Sequence, residues 1–283
     1  MTATKPAVLS RDTAPWAEAM LIEHWRSLSP VARYDALVGD LRTVRFMMRA
    51  GARMQHPAAS NAEVDRMVAI AWLGTDVERL IEPIAPNIEA RPMDDPDPYT
   101  VAARVTEALE ALGVPHVVVG SLASIAFGEP RLTRDGDLVA DLKLGHVSAF
   151  VAALAPDFFI DVEALREAVR SQRHFNILHR TTMFKIDVFP CASAFNRSGI
   201  QRAIRIERVG HHMPVATPED CLLAKLQWYR LGNEVSDQQW RDILGIMVIR
   251  ANALDDAYLD RWAGVLGVAD LLARARDVAN PTS

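Results

Sequence analysis

The chain reads as an α+β protein. Short β-branched strands alternate with helices in its middle, an all-helical segment precedes them, and more helices follow. Three stretches carry that reading. Val117-Val118-Val119 is an unbroken β-branched run, as in a strand covered on both faces. Residues 134–142 form a second apolar strand interrupted by acids, and Phe175–Leu178 with Met183–Phe189 have the pattern of a hairpin pair. Around them, apolar residues recur every three to four positions, the helical period.

In chain order, residues 1–13 are a loose tail. Trp16, Met20, Leu21, His24 and Trp25 mark a first helix over 14–29. Ser29-Pro30 caps a second, whose stripe runs from Val31 to Met48 and which Gly51 is expected to end. Ser60 with Glu63 is a capping box for a third helix. Residues 1–82 are therefore read as a small helical domain. Five prolines and a run of acids over 83–98 cannot continue a helix or a central strand, so that stretch is read as an extended linker. Residues 99–216 form the core domain. A helix over 99–112 leads through Gly113 into the first strand, Gly120-Ser121 closes that strand, and Gly128 and Pro130 stop a short following helix. Further helices are expected over 147–154 and 162–171. The helical region 217–283 opens on the cap Thr217-Pro218-Glu219-Asp220, with Ser236 and Gln239 capping the next helix.

At 283 residues and half apolar, the chain can build a sizeable core. Its net charge of −5 gives no global basic field to draw in nucleic acid, which leaves only local patches for that purpose. Cys191 and Cys221 stand far apart with no partner at metal spacing, as free thiols in a reducing compartment do. No signal-peptide segment opens the sequence, and no window holds the roughly 18 apolar residues of a membrane helix. A cytoplasmic protein is expected.

The chemistry lies in the middle. Asp135 and Asp137 are two apart on a strand, so their carboxylates share a side. Paired acids ask for a positive partner, and a hard divalent ion, Mg²⁺ or Mn²⁺, is the natural one. Asp187 stands between Ile186 and Val188 in an otherwise apolar strand, where a lone carboxylate needs a cation or a cleft. If its strand lies beside the first pair, three acids line one place, an arrangement that serves in-line phosphoryl transfer. Taken singly, Asp-x-Asp also fits a solvated strand edge, and Gly-Ser fits any tight turn. The order of the features is what makes the set distinctive.

That order, together with VVVGSLASIAFGEPRLTRDGDLVADL (117–142), TPEDCLLAKLQWYRLGNEVSDQQWRDILGI (217–246) and LDRWAGVLGVADLLARA, resembles the polymerase-β-like nucleotidyltransferases over residues 99–280. It is similar to an uncharacterised bacterial branch related to the minimal nucleotidyltransferases and to those of abortive-infection and toxin–antitoxin systems. The resemblance implies a mixed sheet with flanking helices and a metal-dependent transfer of a nucleoside monophosphate from a nucleoside triphosphate to an RNA (such as a tRNA 3′ end), protein or small-molecule acceptor. It implies Gly120 and Ser121 on the triphosphate, Asp135, Asp137 and Asp187 as metal ligands, and Lys225 facing the nucleotide, where a solvated surface lysine is the equal alternative. Arg131 and Arg134 flank the acids and serve either phosphate or ion pairs with Asp135 and Glu129. The residue between the two acids is usually Ile, Val or Leu in this superfamily, and Gly136 replaces it, which predicts a looser strand. A non-catalytic, antitoxin-like regulatory module is the alternative function, with the N-terminal helices docking a protein partner.

Overall fold

A computed structural model describes residues 9, 13–73, 96–133, 135–251 and 253–279. Arg134, nearly all of the expected tail and most of the Pro-rich linker lie outside them. Among the described residues no helix is long and apolar enough to cross a membrane.

The chain divides into two compact units, and the division does not follow the boundaries at 82 and 216 expected from the sequence. One unit comprises the described parts of Met1–Tyr34, Val117–Arg131 and Cys191–Ser283, and the other comprises those of Asp35–His116 and Leu132–Pro190. Long-range hydrogen bonds explain why the first 34 residues belong where they do. Buried Arg33 donates to the carbonyls of Trp25 and Ala126, and the Tyr34 hydroxyl donates to the carbonyl of Leu122 at 2.9 Å. The first helices are thus bolted to the segment after the Val117–Val119 run. Burial, and then the charge of Arg250, pull the Arg33 pKa down to about 10, so this clamp sits in a water-poor interior.

The first unit contains α1 (Pro15–Ser27) and the start of α2 (Pro30–Gln55). It also holds β1 (His116–Val119, less its first residue) and the short α5 (Gly120–Ile125). Its C-terminal part is α8 (Ala194–Arg202), β6 (Ile204–Arg208), β7 (His211–Val215), α9 (Pro218–Leu231), α10 (Asp237–Ile249), α11 (Asp256–Leu266) and α12 (Ala269–Ala279). β1 runs parallel to β7 and β7 antiparallel to β6, so the sheet is mixed. Leu222, Leu223, Leu226, Ile243 and Leu259 are fully buried and form the helical core. The caps expected at Thr217 and Ser236 are present, each side chain accepting from an amide three residues on.

The second unit contains the rest of α2, α3 (Asn61–Leu73) and α4 (Pro98–Ala111). Then come β2 (Asp135–Ala140), α6 (Val147–Leu154), β3 (Phe158–Phe159), α7 (Val162–Arg170), β4 (Phe175–His179) and β5 (Lys185–Pro190). β2 is parallel to β5, β5 antiparallel to β4, and β4 antiparallel to β3. The Ser60–Glu63 capping box closes in both directions.

One expectation is corrected here, and one element is new. α2 runs through Gly51 to Gln55, because a glycine inside a helix costs only about 1 kcal/mol relative to alanine. The stop comes at His56, which precedes Pro57 and is disfavoured in the helical region. The hairpin of β6 and β7 was not foreseen. Its loop is Val209-Gly210, both at positive φ (51° and 75°), a type I′ geometry that the sequence marks with only one glycine.

Candidate functional site

The register of β2 on β5 decides how the acids meet. Asp137 is the Cα partner of Asp187, and Asp135 that of Lys185. Side chains alternate along a strand, so Asp135, Asp137, Lys185 and Asp187 share one face, while Gly136, Leu138, Ile186 and Val188 share the other. That other face is core: all four of its residues are buried. Neighbouring strands lie about 4.8 Å apart, so carboxylates opposed across β2 and β5 are within reach of a shared cation. Gly136 lies inside an unbroken ladder from Asp135↔Lys185 to Ala140↔Pro190, and this pairing, rather than a side chain, holds it.

Three sets of contacts shape this face and the start of its strand. Lys185 donates its ammonium to the Asp187 carboxylate at 2.5 Å and stands 3.9 Å from that of Asp135. Burial pushes the Lys185 pKa down, but the hydrogen bond and charge of Asp187, with the charges of Asp135 and Asp137, more than reverse this and hold it above the usual lysine value. Asn176 on β4 is the Cα partner of Asp187 on its other side, which extends the row to Asp137, Asp187 and Asn176. Buried Thr133 donates its hydroxyl to the Asp135 carbonyl at 2.9 Å and fixes the start of β2.

The second charged cluster lies in the other unit. Gly120 has φ 64°, a left-handed conformation that lets the chain turn directly from β1 into α5. A side chain at Gly128 would press on the Ser124 carbonyl (3.2 Å) and on Ile246 (3.3 Å), so glycine allows the loop after α5 to lie against α10. Arg131 donates to the Ser121 hydroxyl (2.8 Å) and, with two nitrogens, to the Asp242 carboxylate (2.9 and 2.7 Å). Lys225, buried on α9, donates to the same carboxylate at 2.6 Å, and Gln238 at 3.0 Å. Burial raises the Asp242 pKa, but Arg131 and Lys225 outweigh it and hold the carboxyl below the ordinary aspartate value.

From sequence, Lys225 is equally a nucleotide contact or a solvated lysine. It is buried and ion-paired. Arg131 binds Ser121 and Asp242, and Glu129 takes Arg241 at 2.7 Å. Tyr229 is buried against Trp240, as a core residue. Arg134 lies outside the described residues. Lys185, Asn176 and Asp242 were missed. Strand alternation could have found Lys185, two positions before Asp187. Asn176 needs the register, and Asp242 needs the packing of α9 on α10.

Among the described residues no group of three or more His, Cys, Asp and Glu side chains is gathered tightly enough to hold a metal ion. What the acid face has of a cation site is its donor chemistry and its register. It offers oxygen donors only, on two directly bonded strands, with one ammonium already among them.

No family model matches the sequence, and no curated protein matches it. A solved structure, the crystal structure of an antigenic nucleotidyltransferase-like protein from Paracoccidioides brasiliensis, aligns with a TM-score of 0.40 at 18% identity, over 63% of this chain and 91% of that one.

Proposed function

We propose that this chain is a nucleotidyltransferase that moves a nucleoside monophosphate from a nucleoside triphosphate to an RNA, protein or small-molecule acceptor. One observation carries the reading: Asp137 and Asp187 are in register on parallel neighbouring strands, with Asp135 on the same face. In this reading the three carboxylates hold Mg²⁺ or Mn²⁺, whose bound charge would neutralise the phosphates. Asp187 takes the proton of the acceptor hydroxyl. The freed oxygen bonds to the α-phosphorus, the bond from that phosphorus to the bridging oxygen breaks, and pyrophosphate leaves with the electron pair. The resemblance also gives Gly120, Ser121, Lys225 and Arg131 as triphosphate contacts, and within their own unit Arg131 and Lys225 are ion-paired with Asp242. Such a reaction needs positioning and charge compensation more than covalent catalysis.

The test is incubation with each α-labelled nucleoside triphosphate, Mg²⁺, and total cellular RNA and protein. Label should enter one fraction, and Asp137→Ala should abolish it. No transfer with any nucleotide would reject the enzyme.

A second reading, a regulatory module without catalysis, is favoured by the internal pairing of Arg131, Lys225 and Lys185. Exposed Trp16 and Met20, four apart on α1, then belong to a protein-docking face. A toxin–antitoxin or defence context accords with either reading. A partner gene encoded alongside, whose product suppresses or requires this chain, tests that context.

A further inference from the structure

Among the described residues, Lys185 is a group on the acid face whose charge opposes its neighbours. It lies two residues before Asp187, so strand alternation commits it to the same side. Its ammonium occupies the space between Asp187 (2.5 Å) and Asp135 (3.9 Å), where two carboxylates of adjacent strands would share a cation. Its side chain is 39% exposed, so it has solvent to swing into, whereas Asp187 at 13% is fixed in the sheet.

We propose that Lys185 is a built-in competitor for the divalent cation. It compensates the acid face of the free protein, and its ammonium must leave Asp187 for the ion to bind. The inference rests on the reading of that face as a cation site. Two consequences follow from electrostatics alone. Removing the ammonium should tighten cation binding, because the ion no longer displaces a like charge. Moving the same charge onto an arginine should leave the competition in place.

The experiment is Mn²⁺ titration of the full chain, followed by the electron paramagnetic resonance signal of free Mn²⁺, without nucleotide. Lys185→Met should bind Mn²⁺ at least tenfold more tightly than the wild type, and Lys185→Arg should stay near the wild type. Should Lys185→Met not fold, Lys185→Gln carries the same expectation. Asp137→Ala locates the ion. If wild type and Lys185→Met bind equally and Asp137→Ala does not bind, the competitor role is overturned and the cation site stands. If none of the proteins binds Mn²⁺, or if Asp137→Ala binds as the wild type does, the cation site falls and the competitor role with it.

Discussion

The two charged clusters are built as opposites. On the acid face of β2 and β5, three carboxylates share a side with a lysine that is partly open to water. In the other unit, a largely covered carboxylate, Asp242, draws in a buried lysine and a mostly covered arginine. Among the described residues each cluster carries an excess of one sign and a group of the other sign that partly compensates it. Burial separates them. Asp242 and Lys225 have lost nearly all their water, so their pairing is structural as well as chemical. Lys185 keeps water as an alternative partner, so its pairing can be exchanged.

The largest effect that tests this contrast belongs to Asp242. Asp242→Ala leaves Lys225 a buried charge without its carboxylate, which should cost about 3–5 kcal/mol of stability. Chemical denaturation measures this, and adding Lys225→Met should recover more than 1 kcal/mol of it. A loss under 1 kcal/mol would show that water reaches the Lys225 ammonium and that the pairing is not a buried one.

Acid separates the units next. His179, buried in the β4 unit beside Thr182, has its pKa pushed down to about 4, by burial first, with Asp157 opposing and Arg45 assisting. A folded pKa below the unfolded value of about 6.5 means the stabilisation is complete above 6.5 and is lost as pH falls toward 4, by up to about 3 kcal/mol. Hydrogen exchange between pH 7 and 4.5 should show the β4 and β5 amides losing protection before those of α9 and α10. His179→Gln should flatten the difference. Uniform loss across both units would contradict it.

The smallest effect is that of Lys185→Ala. A half-exposed ion pair contributes about 1 kcal/mol or less, so the melting curve should hardly move. A drop comparable to that of Asp242→Ala would make Lys185 structural and erase the contrast.

The legible parts of the fold were those with local physical signals. Capping boxes, the Val117–Val119 run and the Gly128-Pro130 stop each act within a few residues, and the structure has the expected elements there. Alternation placed Asp135 and Asp137 on one side without a structure. Asp187 opposite Asp137 was a condition of the reading, because register between strands about 50 residues apart is set by packing that no short window contains. Arg131 with Asp242, and Arg33 with Ala126, lie 111 and 93 residues apart and left no local mark. The unit boundaries were hidden for the same reason. The β6–β7 hairpin was missed because Val209 occupies a left-handed position that valine seldom takes.

The most direct test of the central claim is a melting-temperature titration with Mn²⁺ and each nucleoside triphosphate, run on the wild type and on Asp187→Asn. The melting temperature of the wild type should rise with the concentration of the nucleotide–metal pair, and that of the variant should not. An equal rise in both proteins, or none in the wild type with any nucleotide, would contradict it.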